Sequence, residues 1–307
     1  MEKRPVGRFA PTPSGRMHLG HVFAALLSWL SPKSRGGDWI LRMEDLDTLR
    51  TRAEYAELLR DDLRWLGLYW DEETEPQSAR SAVYDRYFSQ LEEKNLLFPC
   101  YCTRSQLHNV NAPHLADGTY VYAGTCRDLT PEQRAAQKRL PSWRVQVPDR
   151  EFAFVDHVQG PYRENLLTDC GDFVVRRADG VYVYQLAVTV DDGESGVTEV
   201  VRGWDLLSSA PRQMYLQELF GFDHPEYAHI PMLMAPEGRR LSKRDQDLDM
   251  GALRNRSKPE QLIGVLAHAA GLTETAEPIS ARELATIFDW SKIHGKEIVV
   301  SELEKLY

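Results

Sequence analysis

The sequence predicts an α/β protein: a doubly wound parallel sheet with a cysteine-bearing insertion and a small C-terminal α-helical domain. Three observations predict it. From the N-terminus to Gly67 the pattern runs strand, helix, strand, helix, the rhythm of a parallel sheet with crossover helices. All four cysteines fall in one less regular stretch, between 100 and 170. Beyond Asp249 the apolar residues recur at helical spacing.

Residues 6–10 read as a short buried strand, ended by the turn at Pro11 and Pro13. From about His18, Phe23, Leu26, Leu27 and Leu30 follow helical spacing and stop before Pro32. Gly36 and Gly37 then turn the chain into a second strand over 39–43. An amphipathic helix follows, with Tyr55, Leu58, Leu59, Leu63 and Leu66 on one side and Gly67 as its stop. This Rossmann-like rhythm breaks after Leu97, and the stretch up to Cys170 reads as an irregular insertion. Segments of β type return at 173–176, 181–190 and 197–202, and a helix at 210–220. In the helical tail Leu262, Val265, Leu266 and Ala269 form a core face. The expected division is 1–97 and 172–245 for the two halves of the sheet domain, 98–171 for the insertion and 246–307 for the helical domain.

The 307 residues are 42% hydrophobic and 27% charged, which suits a globular chain with ample core. The N-terminus has no apolar stretch of signal-peptide type, and the apolar run over 22–30 is too short to cross a bilayer. A cytoplasmic protein with no membrane partner is therefore expected, with cysteines free or metal-bound rather than disulfide-linked. A net charge of −9 argues against a general nucleic-acid coat but leaves room for a local basic face. The run at 239–244, continued by Arg254, Arg256 and Lys258, is such a concentration, and charge alone makes it a solvated surface.

His18 and His21 fall in the first turn of the first predicted helix, three residues apart and so on one face. Gly20 between them removes a side chain and lets a flat group approach the backbone. A helix N-terminus offers free N–H groups and partial positive charge, so the constellation suits a nucleoside triphosphate. Two histidines there can equally serve as a cap, or as half of a zinc site. Neither Gly-x-x-x-x-Gly-Lys-Ser/Thr nor Gly-x-Gly-x-x-Gly is present.

The motif does not stand alone. Pro-x-Pro-Ser-Gly at 11–15 followed by His-Leu-Gly-His at 18–21 resembles the HIGH signature of class I aminoacyl-tRNA synthetases, and Arg-Leu-Ser-Lys-Arg at 240–244 resembles their KMSKS signature. The blocks at 42–47, 184–187, 190–192 and 201–204 resemble the glutamyl-tRNA synthetase catalytic core in the same order. The resemblance implies attack of an amino-acid carboxylate on the α-phosphorus of ATP, expelling pyrophosphate. His18 and His21 would neutralise charge on the phosphates, and Lys243 would clamp the leaving pyrophosphate. Gly20, Leu241 and Ser242 complete the implied ATP contacts, with Mg²⁺ carried by the phosphates.

A side-chain carboxylate calls for a planar, bidentate cation. Arg8 and Arg202 stand at the ends of predicted strands, at the carboxyl edge of the sheet where such folds bind ligands. Tyr184 supplies a hydroxyl, and Glu44 a negative partner for the α-ammonium group. By the resemblance Arg8, Phe9, Ala10, Pro11, Thr12, Glu44, Tyr184 and Arg202 line a pocket for L-glutamate. Val188 stands where the full-length enzymes usually carry asparagine, so that wall is altered.

Cys100, Cys102 and Cys126 suggest three thiolates around one tetrahedral Zn²⁺. Chemistry alone offers His108, His114 or Cys170 as the fourth ligand. The resemblance to short glutamyl-synthetase paralogs points instead to Tyr122, four residues before the last cysteine, and leaves Cys170 as a buried thiol. About sixty residues follow Lys243, too few for the anticodon-gripping domains of the full-length enzymes. This feature and the cysteine–tyrosine pattern together resemble the glutamyl-Q tRNA(Asp) synthetase family. That family transfers activated glutamate to queuosine at the wobble position of tRNA(Asp), activates glutamate without tRNA, and implies here a monomer. Two alternatives stay open: a truncated enzyme charging tRNA(Glu), and a catalytically silent RNA- or glutamate-binding paralog.

Overall fold

The computed structural model describes residues 4–103, 106, 121–234 and 249–299. The chain opens with β1 (Val6–Phe9), α1 (Leu19–Ser34), β2 (Asp38–Leu41), α2 (Ala53–Trp65) and β3 (Glu72–Glu73). These strands form a parallel sheet in the order β1-β2-β3, with α1 and α2 as the crossovers. The helix α1 runs through Pro32 rather than stopping before it. Gly67, with φ of +74°, ends the turn after α2 as its sequence position predicts.

Next come α3 (Ser81–Glu93), β4 (Leu97–Cys100), the short α4 (Pro131–Ala135), β5 (Ser142–Val145), β6 (Glu151–Asp156), β7 (Gly160–Asn165) and β8 (Phe173–Arg176). The stretch expected to be irregular up to Cys170 thus contains β5, β6 and β7. β4, β5 and β8 form an antiparallel sheet, whereas the β6–β7 hairpin belongs elsewhere. It joins β9 (Glu199–Gly203) and β10 (Glu226–Ile230) in the order β7-β6-β10-β9. The edge strand β9 lies beside β1: Thr198 N–H donates to the Val6 carbonyl at 2.9 Å, and Val6 N–H to Thr198 Oγ1 at 2.8 Å. The two parallel sets therefore meet along β1 and β9, with their carboxyl ends on one side.

Between β8 and β9 lies α5 (Tyr184–Glu194), over the segment 181–190 that sequence reading took as β-type. The residues 186–192 are all buried, so the helix has no exposed side, and its mostly apolar run over 186–190 carries no period to separate buried helix from buried strand. Thr189 Oγ1 donates to the Gln185 carbonyl at 2.7 Å, satisfying a hydroxyl that has no access to water.

The predicted helix at 210–220 is α6 (Ser209–Phe220), closed by Gly221 in the left-handed conformation at φ +76°. The remaining elements are β11 (Met232–Met234), α7 (Met250–Arg256), α8 (Pro259–Ala269), α9 (Ala281–Ala285) and β12 (Glu297–Val299), with β12 parallel to β11. Leu253, Leu262, Val265 and Leu266 pack into the same core as Leu26, Leu30 and Leu63 of α1 and α2. Trp290 Nε1 also donates to Ser31 Oγ of α1 at 3.2 Å. Among the described residues no helix is long and apolar enough to cross a membrane.

Candidate active site

His18 is the N-cap of α1. Its Nδ1 accepts the Gly20 N–H at 3.1 Å, and His21 Nδ1 accepts the His18 N–H at 3.5 Å. The rings stack with centroids 3.9 Å apart. The histidines thus cap the helix and face one another. With Nδ1 occupied as an acceptor, Nε2 carries the hydrogen. Gly20 also has a reason within the fold. A Cβ there would stand 3.0 Å from His18 Cε1, so glycine makes room for the imidazole itself.

Four elements bring the predicted amino-acid pocket together. Arg8 comes from β1, Glu44 follows β2, Tyr184 opens α5 and Arg202 lies on β9. The backbone beside β1 is drawn in by Arg42 N–H donating to the Phe9 carbonyl and Glu44 N–H to the Pro11 carbonyl, each at 3.0 Å. Ala10 and Thr12 alternate with those residues along the same segment. Arg8 is 4% exposed; its Nε pairs with Asp192 at 3.3 Å and its Nη1 donates to the Val201 carbonyl at 3.0 Å. Arg202 donates through Nη1 to Gln213 Oε1 at 2.7 Å and Tyr184 Oη at 3.4 Å. Its Nη2 is buried with no hydrogen-bond partner among the described residues.

Burial raises the Glu44 carboxyl to about 7, against the pull of Arg42 and Arg8. Burial likewise pushes the Tyr184 hydroxyl up, keeping it a neutral donor. Asp192 is held below the usual carboxylate range: burial opposes ionisation, but Arg42 and Arg8 outweigh it. Val188, one helical turn after Tyr184, is 1% exposed.

Several working residues had no role assigned from sequence. Arg42 is fully buried, with Nη1 2.7 Å from Asp192 and Nη2 3.3 Å from Glu44. Asp191 accepts from Gln77 and Arg80 at 2.8 Å and from Tyr84 at 3.0 Å. His229 and Asp156 stand behind Arg202. The signal available was charge inside apolar strand and helix sequence, which folded proteins tolerate only when paired.

Lys243, Leu241 and Ser242 lie outside the described residues, as do His108 and His114. The chain is next described at Asp249, which bridges to His18, while Met250 N–H donates to the Met17 carbonyl at 2.9 Å. From the predicted basic concentration, Arg254 pairs with Asp62 at 2.9 Å.

Cys100, Cys102 and Cys126 hold their Sγ atoms within 4.8 Å of one another, a soft donor set that fits Zn²⁺. The Tyr122 hydroxyl lies 3.7 Å from Cys100 Sγ and accepts the Cys126 N–H at 2.7 Å. Arg144 stacks over the Tyr122 ring at 3.9 Å. Burial disfavours the Cys100 thiolate, yet Arg144 beside it holds the thiol below its ordinary value. Cys170 is buried outside this group, and its carbonyl accepts the Tyr122 N–H at 3.3 Å. A cavity of about 850 Å³ lined by Trp29, Trp65, Tyr69 and Trp70 contains none of the predicted site residues.

A parallel α/β sheet with stacked imidazoles at the first helix and guanidinium groups at its carboxyl edge is an open α/β fold of the class that binds ligands at that edge. The chain belongs to the tRNA synthetases of class I (E and Q), whose catalytic-domain model matches residues 6–306. The Glutamyl-Q tRNA(Asp) synthetase of Symbiobacterium thermophilum is 46% identical over 301 residues, covering 94% of this chain and 93% of that protein. The protein of the same name from Nitratidesulfovibrio vulgaris is 42% identical over 306 residues, covering 95% and 94%. The glutamate tRNA ligase of Elizabethkingia meningosepticum, solved with its amino acid, superposes with a TM-score of 0.82 at 30% identity, covering 99% of this chain and 68% of that one.

Proposed function

We propose that the chain activates L-glutamate with ATP, without tRNA, and transfers the glutamyl group to queuosine at the wobble position of tRNA(Asp). The observation that carries this reading is the convergence of Arg8, Glu44, Tyr184 and Arg202 from four separate elements, with Arg202 Nη2 buried and unpartnered among the described residues. Such a donor suits the side-chain carboxylate of glutamate, and Glu44 suits the α-ammonium group. Phe9, Ala10, Pro11 and Thr12 form the adjoining wall. The α-carboxylate oxygen attacks the α-phosphorus and pyrophosphate leaves; a nucleophilic group of the base then attacks the adenylate carbonyl and AMP leaves.

In this reading His18 and His21 stabilise charge on the phosphates of ATP, with Gly20 behind them and Leu241, Ser242 and Lys243 completing the site. The bridge between His18 and Asp249, six residues after Lys243, supports that placement. Mg²⁺ enters with ATP. One Zn²⁺, held by Cys100, Cys102, Cys126 and Tyr122, ties down the insertion; the small hydrophobic cluster around these residues supports a need for such a tie. The division at 97, 171 and 245, the use of 246–307 as a stem contact, a monomeric state and a cytoplasmic setting belong to the same proposal. The names of the relatives support queuosine in tRNA(Asp) as the acceptor.

The test is transfer of labelled glutamate to tRNA(Asp) with and without queuosine, beside tRNA(Glu). Label on queuosine-containing tRNA(Asp) is expected; label on tRNA(Glu) alone would overturn the reading. Absence of glutamate-dependent ATP–pyrophosphate exchange in the folded, zinc-loaded protein would favour a silent paralog.

A further inference from the structure

Three neighbouring strands deliver a buried line of side chains to the candidate glutamate pocket. In the parallel ladder His229 of β10 stands opposite Arg202 of β9, and Asp156 closes β6 on the other side of β10. Arg202 Nε donates to His229 Nε2 at 3.0 Å, and His229 Nδ1 lies 2.6 Å from Asp156 Oδ2. The His229 and Asp156 side chains are both wholly shielded from solvent.

The contacts fix the hydrogens. A guanidinium only donates, so His229 Nε2 presents its lone pair. The Asp156 carboxylate also accepts the N–H groups of His229, Val158 and Gln159 at 2.9 to 3.1 Å, so it acts as an acceptor throughout and His229 Nδ1 carries the hydrogen. The ring is therefore neutral, in a single tautomer. Burial and the Arg202 charge hold it down to about 4, against the pull of Asp156. With Nε on His229 and Nη1 on Gln213, the guanidinium plane is held at two points, and Nη2 is the donor left over.

We infer that His229, its tautomer fixed by Asp156, is a positioning residue that aims Arg202 at the substrate's side-chain carboxylate, so that the pocket takes glutamate and rejects its neutral amide, glutamine. This rests on the role proposed above for Arg202. A fixed, desolvated cation binds a carboxylate more strongly than the neutral oxygen of an amide and cannot turn away from the amide NH₂, whereas a guanidinium free to turn could do so.

Isosteric variants separate the two contacts. His229→Asn keeps an N–H for Asp156 and removes the acceptor for Arg202; His229→Gln returns an acceptor near the Nε2 position and gives up the N–H. The readout is ATP–pyrophosphate exchange with glutamate and with glutamine, together with the KM for ATP. His229→Asn is expected to raise the glutamate KM about tenfold and lower the glutamate-to-glutamine ratio of kcat/KM about tenfold, with ATP unaffected. His229→Gln is expected to retain most of that ratio, and Arg202→Ala to lose it. Parental discrimination in His229→Asn, beside loss in Arg202→Ala, overturns the positioning role and leaves the pocket reading intact. Equal rises in KM for ATP and glutamate would mark a purely structural role and overturn it too. If His229→Asn does not fold, loss of discrimination in a folded His229→Gln overturns the inference. Parental glutamate KM in Arg202→Ala removes the pocket reading and this inference together.

Discussion

Glu44 ties glutamate binding to pH with a sign and a size. Its side chain is 10% exposed, and burial lifts the carboxyl to about 7 despite Arg42 and Arg8. In the proposed pocket an ionised Glu44 faces the α-ammonium group, so affinity increases as pH rises through about 7. Roughly a tenth of the carboxyls are ionised at pH 6 and about nine-tenths at pH 8, so the glutamate KM should fall about tenfold between them. ATP–pyrophosphate exchange at saturating ATP across this window measures it, and Glu44→Gln should raise the KM at pH 8 and flatten the slope. The variant retains His18 and His21, so a titration shared by both forms belongs to another group. A flat KM in the parent, or an unchanged slope in the variant, would refute the assignment. The sign for stability is opposite. A carboxyl raised from 4.5 stabilises the ligand-free fold below its unfolded value and loses that contribution as pH rises. The loss amounts to about 3 kcal/mol by the time the pH has passed 7.

Asp192→Asn leaves the buried Arg8 and Arg42 undercompensated and should cost about 3–5 kcal/mol, read as a lower urea midpoint at unchanged slope. Gly264→Ala would place a Cβ 2.1 Å from the Glu277 carbonyl oxygen, so thermal melting should show a loss of about 1–3 kcal/mol. Metal analysis should give one zinc per chain in the Cys170→Ser variant as in the parent, and Tyr122→Phe should release zinc to a chelator faster. Lys243→Ala should keep its melting temperature and lose most glutamyl-adenylate formation, measured by pyrophosphate exchange.

The parts legible in the sequence are those where burial is one-sided. The helices α1 and α2 showed their apolar stripes, and Gly67 and Gly36 marked turns that take positive φ. The helix α5 was misread because its buried residues 186–192 are consecutive; its first residue, Tyr184, is brought beside Arg202 only by the helix. The stretch looked irregular because the β6–β7 hairpin finds its partner in β10, some seventy residues later. Local pattern does not carry such a pairing. Of the site, the motif residues were legible through their grouping. The residues that hold them, Arg42, Asp192, His229 and Asp156, are buried charged or polar positions at the ends of or within apolar segments, and their meaning lies in who faces them across the sheet.

That division has a physical basis in how the pocket handles charge. Three guanidinium groups surround it, but they are not equivalent. Arg42 is sealed behind Glu44 and Asp192 and neutralises the acids rather than meeting a ligand. Arg8 is spent on Asp192 and the Val201 carbonyl through two of its nitrogens. Arg202 alone of the three is held through neutral partners, Gln213, Tyr184 and the neutral His229. Its positive charge is therefore not cancelled by a carboxylate in direct contact. The cost of desolvating that cation is met during folding, and in the proposed pocket an arriving carboxylate would meet a fixed charge with no reorganisation left to perform. The nearest carboxylate in the line, Asp156, is kept one imidazole away, so it can orient Arg202 without competing for it.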